Sequence, residues 1–177
     1  MRILLLAIII LLTKICCGQD STTAVYINGI VQQIEARLLT DIMEKKDTSI
    51  FDDGDSLQKG AFLSVHTEFY SNPQTMLLDK IVERSLYKKT STEIIIYFLS
   101  NQPILFVNKQ WDGSTIHDDF DIYYMNGNSV FIVKRNQQKG TPDSDAYLKW
   151  CYDLRKEYLE IVQEYNQTFA KAKIKSR

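Results

Sequence analysis

The stretch DFDIYYMNGNSVFIVKR, residues 119–135, carries two runs of aromatic and β-branched residues on either side of Asn126-Gly127. Asn and Gly both tolerate the positive φ that the centre of a two-residue hairpin turn requires, so the segment reads as two antiparallel strands. Two earlier stretches share the layout: SVHTEFYSNPQTMLLDKIVER (64–84) and TEIIIYFLSNQPILFVNKQ (92–110). Each has a strand ending in an aromatic residue, an Asn-containing turn, and an apolar strand running into charge. Tyr70, Phe98 and Tyr124 occupy comparable places in the three. Together the units predict an antiparallel β-meander of about six strands. The first unit admits an alternative: Asn72 before Pro73 can cap a helix, and Leu77, Leu78, Ile81, Val82 and Leu86 also suit helical spacing over 74–88.

Helical patterns flank the meander. From Ala24 to Lys46, the residues Ile27, Ile30, Val31, Ile34, Leu38 and Ile42 recur at steps of three and four, which puts them on one helical face. Toward the C-terminus, Pro142 suits a first helical turn and Asp143 and Asp145 favour its positive end. Tyr147, Cys151, Leu154, Tyr158, Val162, Tyr165 and Phe169 then trace a stripe along a helix of roughly 28 residues, about 42 Å long. The class is therefore α+β. The segment DTSIFDDGDSLQKG (47–60) lacks both the ligand register and the distal Glu of a calcium loop, and reads as a polar connector.

A sheet with one wet face alternates apolar and polar residues. EIIIYFL (93–99) does not: Ile94, Ile96 and Phe98 are apolar, and so are Ile95, Tyr97 and Leu99. ILFV (104–107) and VFIV (130–133) repeat the doubling, so both faces of the sheet need cover. Either one long helix lies on each face, or both share one and leave a Tyr- and Phe-lined surface for a partner.

The N-terminus reads as an export signal. Arg2 is followed by the short apolar core ILLLAIIILL, and Cys16 and Gly18 are small residues at minus three and minus one of a cut before Gln19. The apolar run is too short to span a bilayer. Residues 1–18 are accordingly a signal peptide and 19–177 a single domain, exported to a periplasm or secreted. Lipid attachment at Cys16 or Cys17 is the alternative. After the cut only Cys151 remains, so the domain rests on its core rather than on a disulfide.

The whole chain holds 21 basic and 22 acidic residues. Loss of Arg2 and Lys14 leaves 19 basic residues, a formal charge of −3, which gives no general pull toward nucleic acid. The basic tract KAKIKSR (171–177) complements the negative end of a helix.

Chemistry-bearing residues are few. His117, Asp118, Asp119 and Asp121 sit where the loop WDGSTIHDD leads into the fifth strand; a metal needs converging ligands with a supporting shell, and a solvated hairpin end is the simpler reading. His66 and Glu68 lie two apart on one strand face and, with His117, are the polar groups to test for a ligand pocket between the sheet and the C-terminal helix. Cys151 falls on the apolar stripe, where a thiol is inert. No phosphate loop, HExxH pair, GxSxG elbow or paired CxxC occurs, so no catalytic residue, metal or cofactor is assigned. Aromatic residues near the sheet and its loops, including Tyr87, offer contact area with a polar handle.

In layout, the export segment ending in CCGQ and the helix, hairpins and helix after it resemble small exported proteins of Gram-negative bacteria without assigned activity. The unit YYMNGNSVFIV is similar to the Tyr-Asn-Gly hairpins of MORN-like and antitoxin-type repeats, a similarity that carries over no functional residue. The leading expectation is an exported, non-enzymatic protein that binds another envelope or extracellular protein through an aromatic sheet face or loop 109–120. Tyr97, Trp111, His117, Tyr123 and Tyr124 are the candidate contacts. Self-association into a homodimer and a small-ligand carrier or enzyme are the alternatives; no nucleic-acid partner and no membrane span after signal cleavage are expected.

Overall fold

A computed structural model of the protein describes residues 21–38, 49–52, 62–72, 75–136 and 141–175. A helix over 21–38 (α1) precedes seven strands: β1 (Ser49–Asp52), β2 (Phe62–Ser71), β3 (Leu78–Tyr87), β4 (Thr90–Leu99), β5 (Gln102–Asp112), β6 (Thr115–Met125) and β7 (Asn128–Lys134). A helix of 32 residues, α2 (Ser144–Lys175), follows. The strands form one antiparallel meander in sequence order. The α+β meander with a helix at each end is thus as expected, and residues 78–87 are strand rather than helix.

Two local expectations are corrected. The connector contributes β1, because the outer edge of β2 offers unpaired N–H and C=O groups to the Ser-Ile-Phe run beside it; residues 53–60 of that segment lie outside the described residues. Loop 109–120 is no loop. Gly113, at φ 59°, allows Gly113-Ser114 to close a two-residue turn, and β5 and β6 pair up to Asp112 and Thr115. At Asn126-Gly127 both φ values are positive, 54° and 75°, and Ser100-Asn101 repeats the pattern with 51° and 63°.

The three hairpin units share a feature that strand patterning does not reveal. Each pairing shifts register just before its turn, at Tyr70/Ser71, Tyr97/Phe98 and Tyr123/Tyr124. The extra residues on the second strands are Asp79, Ile104 and Val130. A bulge turns two successive side chains to one side of the sheet. Here Asp79-Lys80, Ile104-Leu105 and Val130-Phe131 all turn toward α1: the first pair by ion pairs, the other two as members of its apolar cluster.

The helices take opposite faces. Ala24, Ile27 and Ile34 of α1 pack on Tyr97, Leu105 and Tyr123, with Ile30, Val31 and Leu38 alongside. Cys151, Leu154 and Tyr158 of α2 pack on Ile81, Ile96, Phe98, Phe106, Phe120 and Ile122, with Tyr147 and Val162 alongside. Ile42 lies outside the described residues, and Tyr165 and Phe169 lie outside those whose side chains are described. The doubled apolar pattern of EIIIYFL therefore serves two cores, one per face. Asp143 caps α2 by accepting from the Asp145 and Ala146 amides at 3.2 and 3.1 Å, so Pro142 stands before the cap rather than in the first turn. Spanning about 48 Å at 1.5 Å per residue, α2 outreaches a seven-strand sheet about 29 Å wide. No helix among the described residues is long and apolar enough to cross a membrane.

Candidate functional site

The sheet face under α1 divides into two halves. Asn28 of α1 accepts from Tyr123 of β6, and Arg37 pairs with Asp79 of β3. Nine residues of helix rise about 13.5 Å, close to the three strand spacings of about 4.8 Å between β6 and β3. α1 thus runs across the strands near the end of the sheet that bears the β4–β5 and β6–β7 turns.

Toward the other end the side chains change character. Cross-strand register aligns Glu68, Val82, Ile95, Val107, Asp121 and Val133 in one row, and His66, Arg84, Glu93, Lys109 and Asp119 in the next. Arg135 extends the second row, since its amide donates to the Asp119 carbonyl at 2.9 Å. From Arg84 onward this row alternates in sign across four strands and the residue that follows β7, an arrangement in which each charge sits beside its opposite. Arg84 Nε lies 2.8 Å from Glu93, and Arg135 lies 2.7 Å from Asp119 and also binds Asp121 in a two-pronged pair. The following row holds Ser64, Leu86, Ser91, Trp111 and Ile116, of which Leu86 and Ile116 are exposed.

The sequence candidates separate on this frame. Tyr97 and Tyr123 are buried under α1, and Tyr124 is wholly buried under α2, where its hydroxyl donates to the Ser144 carbonyl. These three rings fill the cores. Trp111 is half-buried and lines a shallow hollow of about 320 Å³ with His66, Arg84, Leu86 and Glu93. His117 occupies the bulge of β6, exposed, 3.7 Å from Asp112. His66 is on β2 and His117 on β6, four strand spacings or about 19 Å apart. His66 and Glu68 also share the α1 face, opposite the sheet–α2 core. The three candidate pocket residues therefore do not converge.

Glu68 anchors the β2 end of the surface. Its buried carboxylate lies 3.1 Å from His66 and 3.5 Å from Arg84, and accepts from the Tyr70 hydroxyl at 2.6 Å. Burial and this carboxylate push the Tyr70 phenol up to about 12. At the other end burial raises the Asp121 carboxyl against the opposing pull of Arg135, while Arg135 itself is held further into its charged form by the two aspartates. Sequence reading missed Arg84, Glu93, Lys109 and Arg135. Their signal is cross-strand pairing, which exists only once register is known. Among the described residues no group of three His, Cys, Asp or Glu is placed to hold a metal.

Comparison with family models, curated proteins and solved structures gives no match.

Proposed function

We propose that this is an exported, non-enzymatic protein that binds another protein of the envelope or extracellular space through the half of the sheet face beyond α1. The observation that carries this reading is the alternating charge row next to Leu86, Trp111 and Ile116. Protein interfaces commonly combine a small apolar centre containing Trp with Arg and charged groups at its border. The charged side chains at both ends of the surface are already engaged with one another, Arg84 with Glu93 and Arg135 with Asp119 and Asp121, which pre-organises the surface for recognition. His117, four strand spacings from the His66–Glu68 pair, does not complete a three-residue pocket, which supports binding over catalysis.

The test compares the exported chain with its Trp111→Ala and Leu86→Asp variants as baits in envelope extract, with circular dichroism confirming that each is folded. A partner held by the parent and lost by both folded variants supports the surface. Identical capture by all three refutes it.

A further inference from the structure

A second concavity lies at the opposite end of the same face, and its chemistry differs. Tyr26, Ile27 and Ile30 of α1, Leu99 and Pro103 at the β4–β5 turn, and Met125 at the β6–β7 turn enclose about 510 Å³. That volume is in the range of small-molecule sites. The chain from Ser21 to Ile34 contains no Asp, Glu, Lys or Arg, and neither do the turns Leu99–Gln102 and Met125–Asn128, although 24% of all residues are charged. Tyr26 and Leu99 of the lining are exposed, 58% and 43%, so the trough continues into apolar surface. The polar groups of the lining are neutral: Ser100, Asn126 and Gln102, the last accepting from the Tyr152 hydroxyl at 2.9 Å.

An apolar trough with a rim of hydroxyl and amide groups, and no charge among its described lining residues, selects by what it cannot neutralise. An ionised headgroup would lose hydration with no counter-charge to replace it, whereas an alcohol or ester would find both donors and acceptors. We propose that this trough is a binding site for a neutral amphiphile, a molecule with one alkyl or acyl chain and an uncharged hydroxyl or ester head. The site is separate from the charged surface, so either can fail without the other.

The experiment is displacement of N-phenyl-1-naphthylamine from the purified exported chain by 1-dodecanol or monolaurin, with dodecanoate and dodecylammonium as charged counterparts of equal chain length. Saturable displacement at one site per chain is expected, at least about tenfold tighter for the neutral compounds, since each 1.4 kcal/mol of desolvation is a factor of ten. Leu99→Asp and Tyr26→Asp alter exposed positions; with circular dichroism checking that each variant is folded, each should weaken the neutral ligand at least about tenfold by the same arithmetic. Absence of saturable displacement, equal affinity for charged and neutral chains, or indifference to both variants would overturn the proposal. So would sedimentation showing that the trough is closed by a second copy of the chain, with a dimer that Leu99→Asp dissociates.

Discussion

Tyr97 of β4 donates its hydroxyl to Glu35 of α1 across 2.7 Å, and Lys80 of β3 reaches the same carboxylate oxygen at 2.6 Å. One carboxylate thus ties the helix to two strands, at the place where the first hairpin presents Asp79-Lys80 in place of an apolar pair. Arg37, 2.5 Å from Asp79, completes the match. Opposite charges at adjacent bulge positions meet opposite charges two residues apart on the helix, which fixes its direction across the sheet as apolar contact alone would not.

Replacing Tyr97 with Phe keeps the ring in its core and removes only the hydroxyl. The expected cost is about 1 kcal/mol, the net worth of an ordinary hydrogen bond. Burial acts to raise the Glu35 carboxyl, but the bonds from Lys80 and Tyr97 and the Lys80 charge outweigh it, so its folded value is lowered. A depressed acid contributes stability above its unfolded value near 4.5, lost as pH falls through the folded value. Urea unfolding of parent and Tyr97→Phe should therefore differ at pH 7 and converge in acid. A constant difference across that range would show that Glu35 does not carry the effect.

Arg135 supports a different prediction, because two carboxylates share its guanidinium and one of them, Asp121, is only 4% exposed. Arg135→Gln strands that buried carboxylate, at an expected loss of about 2 kcal/mol, moderated by the exposure of Arg135. Burial already raises Asp121, and an acid with a raised folded value destabilises the fold as pH climbs from its unfolded toward its folded value. The loss should thus be larger at pH 7 than at pH 4. Adding Asp121→Asn should restore most of it, read from urea midpoints in a double-mutant cycle.

What the sequence made legible follows from the range of the forces involved. The Asn126-Gly127 turn, the strands around it and the apolar stripes of both helices are local patterns, and each appears where its residues place it. The doubled apolar faces of β4 likewise announced a cover on each side. What they could not announce was which helix goes where, since that depends on bulges at Asp79, Ile104 and Val130 that are visible only through pairing. For the same reason aromaticity misled at the candidate surface: Tyr97, Tyr123 and Tyr124 are strand residues whose phenols bond helix groups, and only Trp111, two rows past the edge of α1's apolar cluster, stays in a hollow. The charge row from Arg84 to Arg135 comes from four strands and the residue after β7, and has no counterpart in any single stretch.

Cys151 sits in the sheet–α2 core with no exposed surface, and burial pushes its thiol up to about 12 from an ordinary 9.0. Reactive cysteines need a thiolate and access, and this one has neither. Iodoacetamide at pH 8, with the adduct mapped by mass spectrometry, should label Cys151 about a thousandfold more slowly in the native chain than in urea. Cys151→Ser, which buries a hydroxyl among Phe and Ile side chains, should cost about 1–3 kcal/mol. Rapid native labelling would contradict the packing of α2.

Glu83 lies on the α2 side of β3, 9% exposed, with the Thr67 hydroxyl 3.5 Å away and the charge of Glu157 on α2 bearing on it. Burial raises its carboxyl; the Thr67 bond pulls the other way, and Glu157 raises it further. The folded chain therefore holds this proton more tightly than the unfolded chain, and stability falls as pH rises from 4.5 toward the folded value. Glu83→Gln removes the ionisation while keeping an acceptor for Thr67, so it should stabilise the protein at pH 7 by about 1 kcal/mol and leave it little changed at pH 4. The opposite result, a destabilised Gln variant at pH 7, would mean that the ionised carboxylate is itself held by a partner across the sheet–α2 boundary. Glu157→Gln separates the two accounts. If repulsion contributes, that change also stabilises at neutral pH, and its effect shrinks once Glu83 is already Gln.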